Sequence, residues 1–114
     1  QENRTRPMEV TVVFADDAFI ADLNQRFLGK NEPTDVLAFD LGETPPATTS
    51  VGEVYVSVER AREQAKHYHV SLKEEIARLT IHGLLHLSGY DDRNIADRNR
   101  MNQRTEAYLQ EMMP

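Results

Sequence analysis

The sequence predicts an α+β domain: a small mixed sheet packed against helices, with one central helix lying across it. Three observations carry this expectation. β-Branched residues cluster in a short run, Val10-Thr11-Val12-Val13, and a second stretch, Gly52 to Ser57, alternates as a strand does. Other segments repeat their apolar residues at helical spacing. One of these, Leu72 to about Leu87, is apolar on more than one face (Leu72, Ile76, Leu79, Leu84, Leu85, Leu87), the pattern of a helix covered by its neighbours.

The elements follow in order. Residues 1–7 are polar and read as a frayed lead-in to a strand from Glu9 to Phe14. Asp16 or Asp17 can cap a helix with Ile20, Leu23 and Phe27 on one stripe, and Gly29 is a suitable stop. Lys30 to Pro33 reads as a turn and Thr34 to Phe39 as a second strand. Gly42 to Ser50, rich in Gly, Pro and Thr, reads as a surface loop before the Gly52–Ser57 strand. Ser57 can cap a helix from Val58 to about Tyr68 with Ala61 and Ala65 facing inward. His67 and His69, two apart, do not share a helical face and read as solvated. Ser71-Leu72-Lys73-Glu74 is a capping box that sets the start of the central helix. Asn94 can cap a last helix carrying Ile95, Met101, Tyr108, Leu109 and Met112, and Pro114 ends the chain.

The 114 residues suffice for one domain, taken here as residues 1–114, and for a single core. With 39% hydrophobic and 28% charged residues, the composition is that of an ordinary soluble globule. A net charge of −6 argues against a protein that coats nucleic acid by bulk electrostatics, yet leaves room for a small basic cleft that grips a few phosphates. The absence of cysteine removes disulfides and thiolate metal sites and fits a reducing cytoplasm. No apolar run reaches membrane-spanning length, so no membrane partner is expected. An opening Gln1 in place of Met is expected of a processed or trimmed chain.

The chemistry concentrates in His82-Gly83-Leu84-Leu85-His86-Leu87-Ser88-Gly89-Tyr90-Asp91-Asp92. Residues four apart on a helix share a face, so His82 and His86 can reach one ion. Gly89 permits the left-handed backbone that ends a helix, and the returning chain can bring a carboxylate, Asp92 or Asp91, to the same point. Written as His-x3-His-x5-Asp, the set suits zinc with a fourth position open to water. Two helical histidines alone are commonly structural. Their place in an otherwise apolar helix, where an unpartnered imidazole is costly, tips the balance toward a metal.

This stretch resembles the HGxLHLxGYDH signature of the YbeY-type bacterial endoribonucleases from His82 through Asp91, departing at Asp92 where the family has a third histidine. Leu23 to Phe39 is similar, without gaps, to the family's LNxxYRGKxxPTDVLSF element, and Gly52–Ser57 to its GDIxIS element. Leu28 stands where the family carries an arginine of its active cleft, and Ala38 replaces a serine. The resemblance spans about Val10 to Leu109 and lacks a preceding strand and helix, so a chain shortened at its N-terminus relative to the family is expected. Self-association would cover the apolar surface so exposed.

The resemblance implies a metal-dependent, single-strand-specific endoribonuclease acting in small-subunit ribosomal RNA 3′-end maturation and ribosome quality control. Its partners would be single-stranded RNA, 16S-type rRNA and the small ribosomal subunit, in the cytoplasm. His82, His86 and Asp92 would be the catalytic metal ligands of one Zn²⁺ per chain, other divalent transition metals being possible. Asp91 would be an outer partner of the site or the alternative ligand. Lys30, with Arg26 behind it, would contact RNA phosphate. An aspartate in place of a third imidazole makes the site less positive and a weaker Lewis acid. The alternative is a non-catalytic RNA-binding or ribosome-assembly module that keeps the fold and the metal. A peptidase is disfavoured, because Gly83 occupies the position where His-Glu-x-x-His proteases place their general base.

Overall fold

A computed structural model describes residues 8–30, 34–44, 49–90 and 92–112. The element order is β1 (Met8–Ala15), α1 (Asp17–Leu28), β2 (Val36–Thr44), β3 (Thr49–Ser57), α2 (Val58–Tyr68), α3 (Leu72–Leu87) and α4 (Ile95–Met112). The expected α+β class is observed. The sheet is mixed, in the order β1-β3-β2, with β1 parallel and β2 antiparallel to the central β3.

Each helix start is fixed by the residue expected to fix it. Asp16 accepts the Phe19 N–H at 2.8 Å, Ser57 that of Arg60 at 3.2 Å, and Ser71 that of Glu74 at 3.0 Å. Asn94 accepts the Asp97 N–H at 2.8 Å. Gly29 ends α1 at φ 68°, in the left-handed region where a side chain would be strained. The capping box forms its serine half, while the Glu74 carboxylate turns along α3 to accept from Arg78 Nη2 at 3.0 Å.

The expected Gly42–Ser50 loop is shorter than its composition suggests. β2 continues through Thr44, and β3 begins at Thr49. A register shift between Asp40 and Gly42 absorbs one residue, with Gly42 at φ 84° and its N–H donating to Asp40 Oδ1 at 2.9 Å. The Gly-Glu-Thr run therefore reads as a loop in sequence but is held as strand by its partner β3. Residues 1–7, 31–33, 45–48 and 113–114 lie outside the described set, as do the expected lead-in, most of the Lys30–Pro33 turn and the terminal Pro114.

The pleat sends Val54 and Val56 of β3 to one face, where they meet Ala61 of α2 and Leu79 of α3 in the main core. On the opposite face, Phe19 and Phe27 of α1 meet Tyr55 and Phe39. Helix α3 also builds a second core with α4 from Ile81, Leu85, Met101 and Leu109. Two glycines let α3 approach the sheet closely. A Cβ at position 83 would lie 2.6 Å from Val54 Cγ1, and one at position 52 would lie 2.8 Å from Leu87 Cδ1. On α4 the buried stripe is Met101, Thr105 and Leu109, whereas Ile95, Tyr108 and Met112 are exposed. Thr105 fits that stripe because its hydroxyl donates to the Met101 carbonyl at 2.9 Å.

Candidate metal centre

Helix α3 presents His82 and His86 on its free face, one turn apart, with ring centroids separated by 5.2 Å and planes crossed at 81°. The helix stops at Ser88, whose N–H and hydroxyl both donate to the Leu84 carbonyl at 3.0 Å. Gly89 then turns the chain at φ 105°. The bend returns Asp92 to the histidines, its Oδ2 lying 4.0 Å from His86 Nε2. One donor atom from each of His82, His86 and Asp92 falls within 4.8 Å of the other two. Donors about 2.0–2.1 Å from a tetrahedral zinc sit roughly 3.4 Å apart, so modest side-chain rotation closes the set. The residues fit a borderline divalent cation in both donor chemistry and spacing.

The electrostatics favour uptake. Burial, and then the neighbouring His86, hold the His82 imidazole below the usual histidine range, against the opposing pull of Asp35 and Asp92. At neutral pH His82 therefore carries a free lone pair, the form a metal requires.

The three donors open into a cleft of about 450 Å³. Leu28 and Lys30 reach it from the end of α1, and Asp35 and Asp40 from the edge of β2. Lys30 thus lines the same cleft as the donor set. Arg26 is elsewhere: it lies on the exposed side of α1, 3.8 Å from Asp22, and is not among the side chains lining the cleft. Asp91 lies outside the described residues. His67 and His69 are exposed, as expected, with His69 at φ 59° closing α2.

Sequence pattern alone assigns no role to Asp35 or Asn24, both of which line the cleft. Asp35 faces the donors while its Oδ2 accepts from Gln64 Nε2 at 3.1 Å and its carbonyl from the Ser57 N–H at 2.9 Å. Its signal was the Thr-Asp pair ahead of a strand. Asn24 occupies the apolar stripe of α1 one turn after Ile20 and is only 2% exposed, so the signal was a polar residue at a core-facing position.

A family model described as Endoribonuclease YbeY matches residues 1–113. The chain belongs to the YbeY endoribonuclease family. Among curated YbeY relatives named endoribonucleases, that of Pelotomaculum thermopropionicum is 41% identical over 106 residues, covering 89% of this chain and 70% of its own. That of Desulfitobacterium hafniense is 38% identical over 112 residues, covering 91% of this chain and 71% of its own. A solution structure from Thermotoga maritima superposes with a TM-score of 0.59 at 32% identity, covering 90% of this chain and 66% of that one.

Proposed function

We propose that this chain is a divalent-metal-dependent endoribonuclease that cuts single-stranded RNA, with zinc held by His82, His86 and Asp92. The observation that carries the reading is the convergence of these three donors within 4.8 Å in a cleft shared with Lys30. Kinship with proteins named endoribonucleases supports the substrate class. Following the resemblance of its motifs, the reading extends to a role in maturing the 3′ end of small-subunit ribosomal RNA and in ribosome quality control, in the cytoplasm and with the small subunit as partner.

When bound, the ion supplies Lewis acidity toward a phosphate oxygen and acidifies a water at its open position. The chain's own residues do the rest. Lys30 offers an ammonium to a non-bridging phosphate oxygen and fixes the strand in the cleft. His82, kept neutral by burial, spends no proton on ligation. Asp92 tempers the charge of the site. Peptide hydrolysis fits poorly: position 83, where zinc proteases carry their glutamate, faces the sheet, and a Cβ there would collide with Val54.

One feature favours a second reading, a module that binds RNA without cutting it: Leu28, not a cation, lines the cleft wall. Labelled single-stranded RNA incubated with metal-loaded protein separates the two. Cleavage is expected, abolished by chelator and reduced at least ~100-fold in His86→Ala, with metal content falling in parallel. Undiminished cleavage by His86→Ala would exclude the metal-centred mechanism. Binding without cleavage would favour the module.

A further inference from the structure

On the other side of Asp35 and His82 lies a second cleft, of about 510 Å³, within the range of sites that hold small ligands. The two clefts share those two side chains as a wall. A strand with one phosphate at the metal donors would therefore place an adjoining nucleotide at the mouth of the second cleft. We infer that this second cleft is a nucleobase pocket, in which Tyr68 stacks on the base next to the cut and the amides of Gln64 and Asn102 read its edge.

Three features select a base over a phosphate. Arg78 lines the cleft, but its guanidinium is committed to carboxylates: Nε to Glu106 Oε2 at 2.6 Å, Nη1 to Glu75 Oε1 at 2.7 Å and Nη2 to Glu74 Oε2 at 3.0 Å. With Asp35 added, the lining is net negative and repels a phosphodiester, which stays at the Lys30 side. Tyr68 stands at the rim, 62% exposed, in a T-shaped contact with His67 at 4.9 Å between centroids. An aromatic ring in that position gives a stacking surface that any base can use.

The edge chemistry is more selective. Gln64 donates one amide hydrogen to Asp35 and keeps an acceptor oxygen and a second hydrogen. Asn102 is exposed and offers both groups. Amides pair with adenine, and carboxylates accept from the amino group of cytosine. The pocket should thus prefer bases with an amino group at C6 or C4, adenine or cytosine, over uracil, which carries a carbonyl there. The inference rests on the single-strand nuclease reading for its ligand, but not on cleavage taking place.

The test uses the full chain under chelator, so that RNA is bound and not cut. Single-stranded oligonucleotides carry 2-aminopurine at successive positions, and quenching on stacking is followed. Wild type and Tyr68→Phe are expected to quench one position strongly. Tyr68→Ala should lose that quench and bind roughly tenfold more weakly. Asn102→Ala should keep the quench and lose the preference for adenine or cytosine over uracil. Equal quenching and affinity in Tyr68→Ala would overturn the pocket. Parallel cleavage assays with metal-loaded protein separate the two claims. RNA cut by Tyr68→Ala with wild-type KM and base preference leaves the nuclease and removes the pocket. Tyr68-dependent quenching without any cleavage leaves the pocket and removes the nuclease. No RNA binding at all removes both.

Discussion

At the scale of single residues, the cleft is short of positive charge, and this can be tested directly. Leu28 is 48% exposed in the cleft wall beside Lys30, so an arginine there would reach phosphate without entering the core. Leu28→Arg is expected to lower KM for single-stranded RNA roughly fivefold, the equivalent of about 1 kcal/mol for a partly solvated charged hydrogen bond. Steady-state kinetics at two salt concentrations checks it, with the gain shrinking at the higher one. A second expectation concerns Tyr55, whose hydroxyl donates to Glu53 Oε1 at 2.8 Å. That bond, with smaller help from burial and the Glu53 charge, raises its ionisation above the usual tyrosine range. A raised folded value means that its contribution to stability is complete below about pH 10 and disappears as pH climbs through the folded value. Phenolate absorbance, compared between wild type and Tyr55→Phe, should show Tyr55 ionising late, and Glu53→Gln should return it toward normal. The donor set was legible in sequence because i,i+4 spacing and a following glycine are local facts. Asp35 was not, since it joins the cleft only through the long-range pairing of β2 with β3.

At the scale of elements, α3 depends on two absent side chains. Alanine normally improves a helix over glycine by about 1 kcal/mol. At position 83 the added methyl would sit 2.6 Å from Val54 Cγ1 and 3.3 Å from Val36 Cγ2, against a sheet that cannot easily retreat. Overpacking of this kind costs about 1–3 kcal/mol, so Gly83→Ala should be net destabilising and should weaken metal binding by tilting His82 and His86. Urea unfolding and metal titration check the two parts. The ends of α3 were readable from Ser71 and Gly89, because caps are written within a few residues. Its burial of Glu75, 2% exposed, was not: a carboxylate is accommodated there only because Arg78, one turn on, bonds it while also holding Glu106 of α4. The same shared guanidinium explains why Arg78 loses its proton even less readily than an ordinary arginine, with the Glu106 hydrogen bond the largest cause. The sequence of β2 shows only its first half for a similar reason, the second half being decided by its partner and not by its own residues.

At the scale of the whole molecule, aromatic surface remains exposed on both faces of the sheet, Phe19 and Phe27 on the α1 side and Phe14, in register with Val56, on the other. Phe14, Phe19 and Phe27 are 55%, 49% and 65% exposed, and β1 is an outer strand among the described residues. Exposed rings beside an unpaired edge favour association. Sedimentation velocity across a concentration series is expected to show reversible self-association, reduced by Phe14→Ser. A single species at all concentrations would dismiss it. No described helix is long and apolar enough to cross a membrane.

The helix that carries the histidines has committed its whole circumference. Gly83 and Leu87 lie against the strands, Ile81 and Leu85 against the last helix, and His82 and His86 on the open cleft. A saturation library of this stretch should therefore return an almost empty row, intolerant of drift at one position after another. In the bend beyond it, Tyr90 packs against the same Ile81 and Leu85 core and Gly89 holds a left-handed turn, so the empty row should run on through those two positions as well.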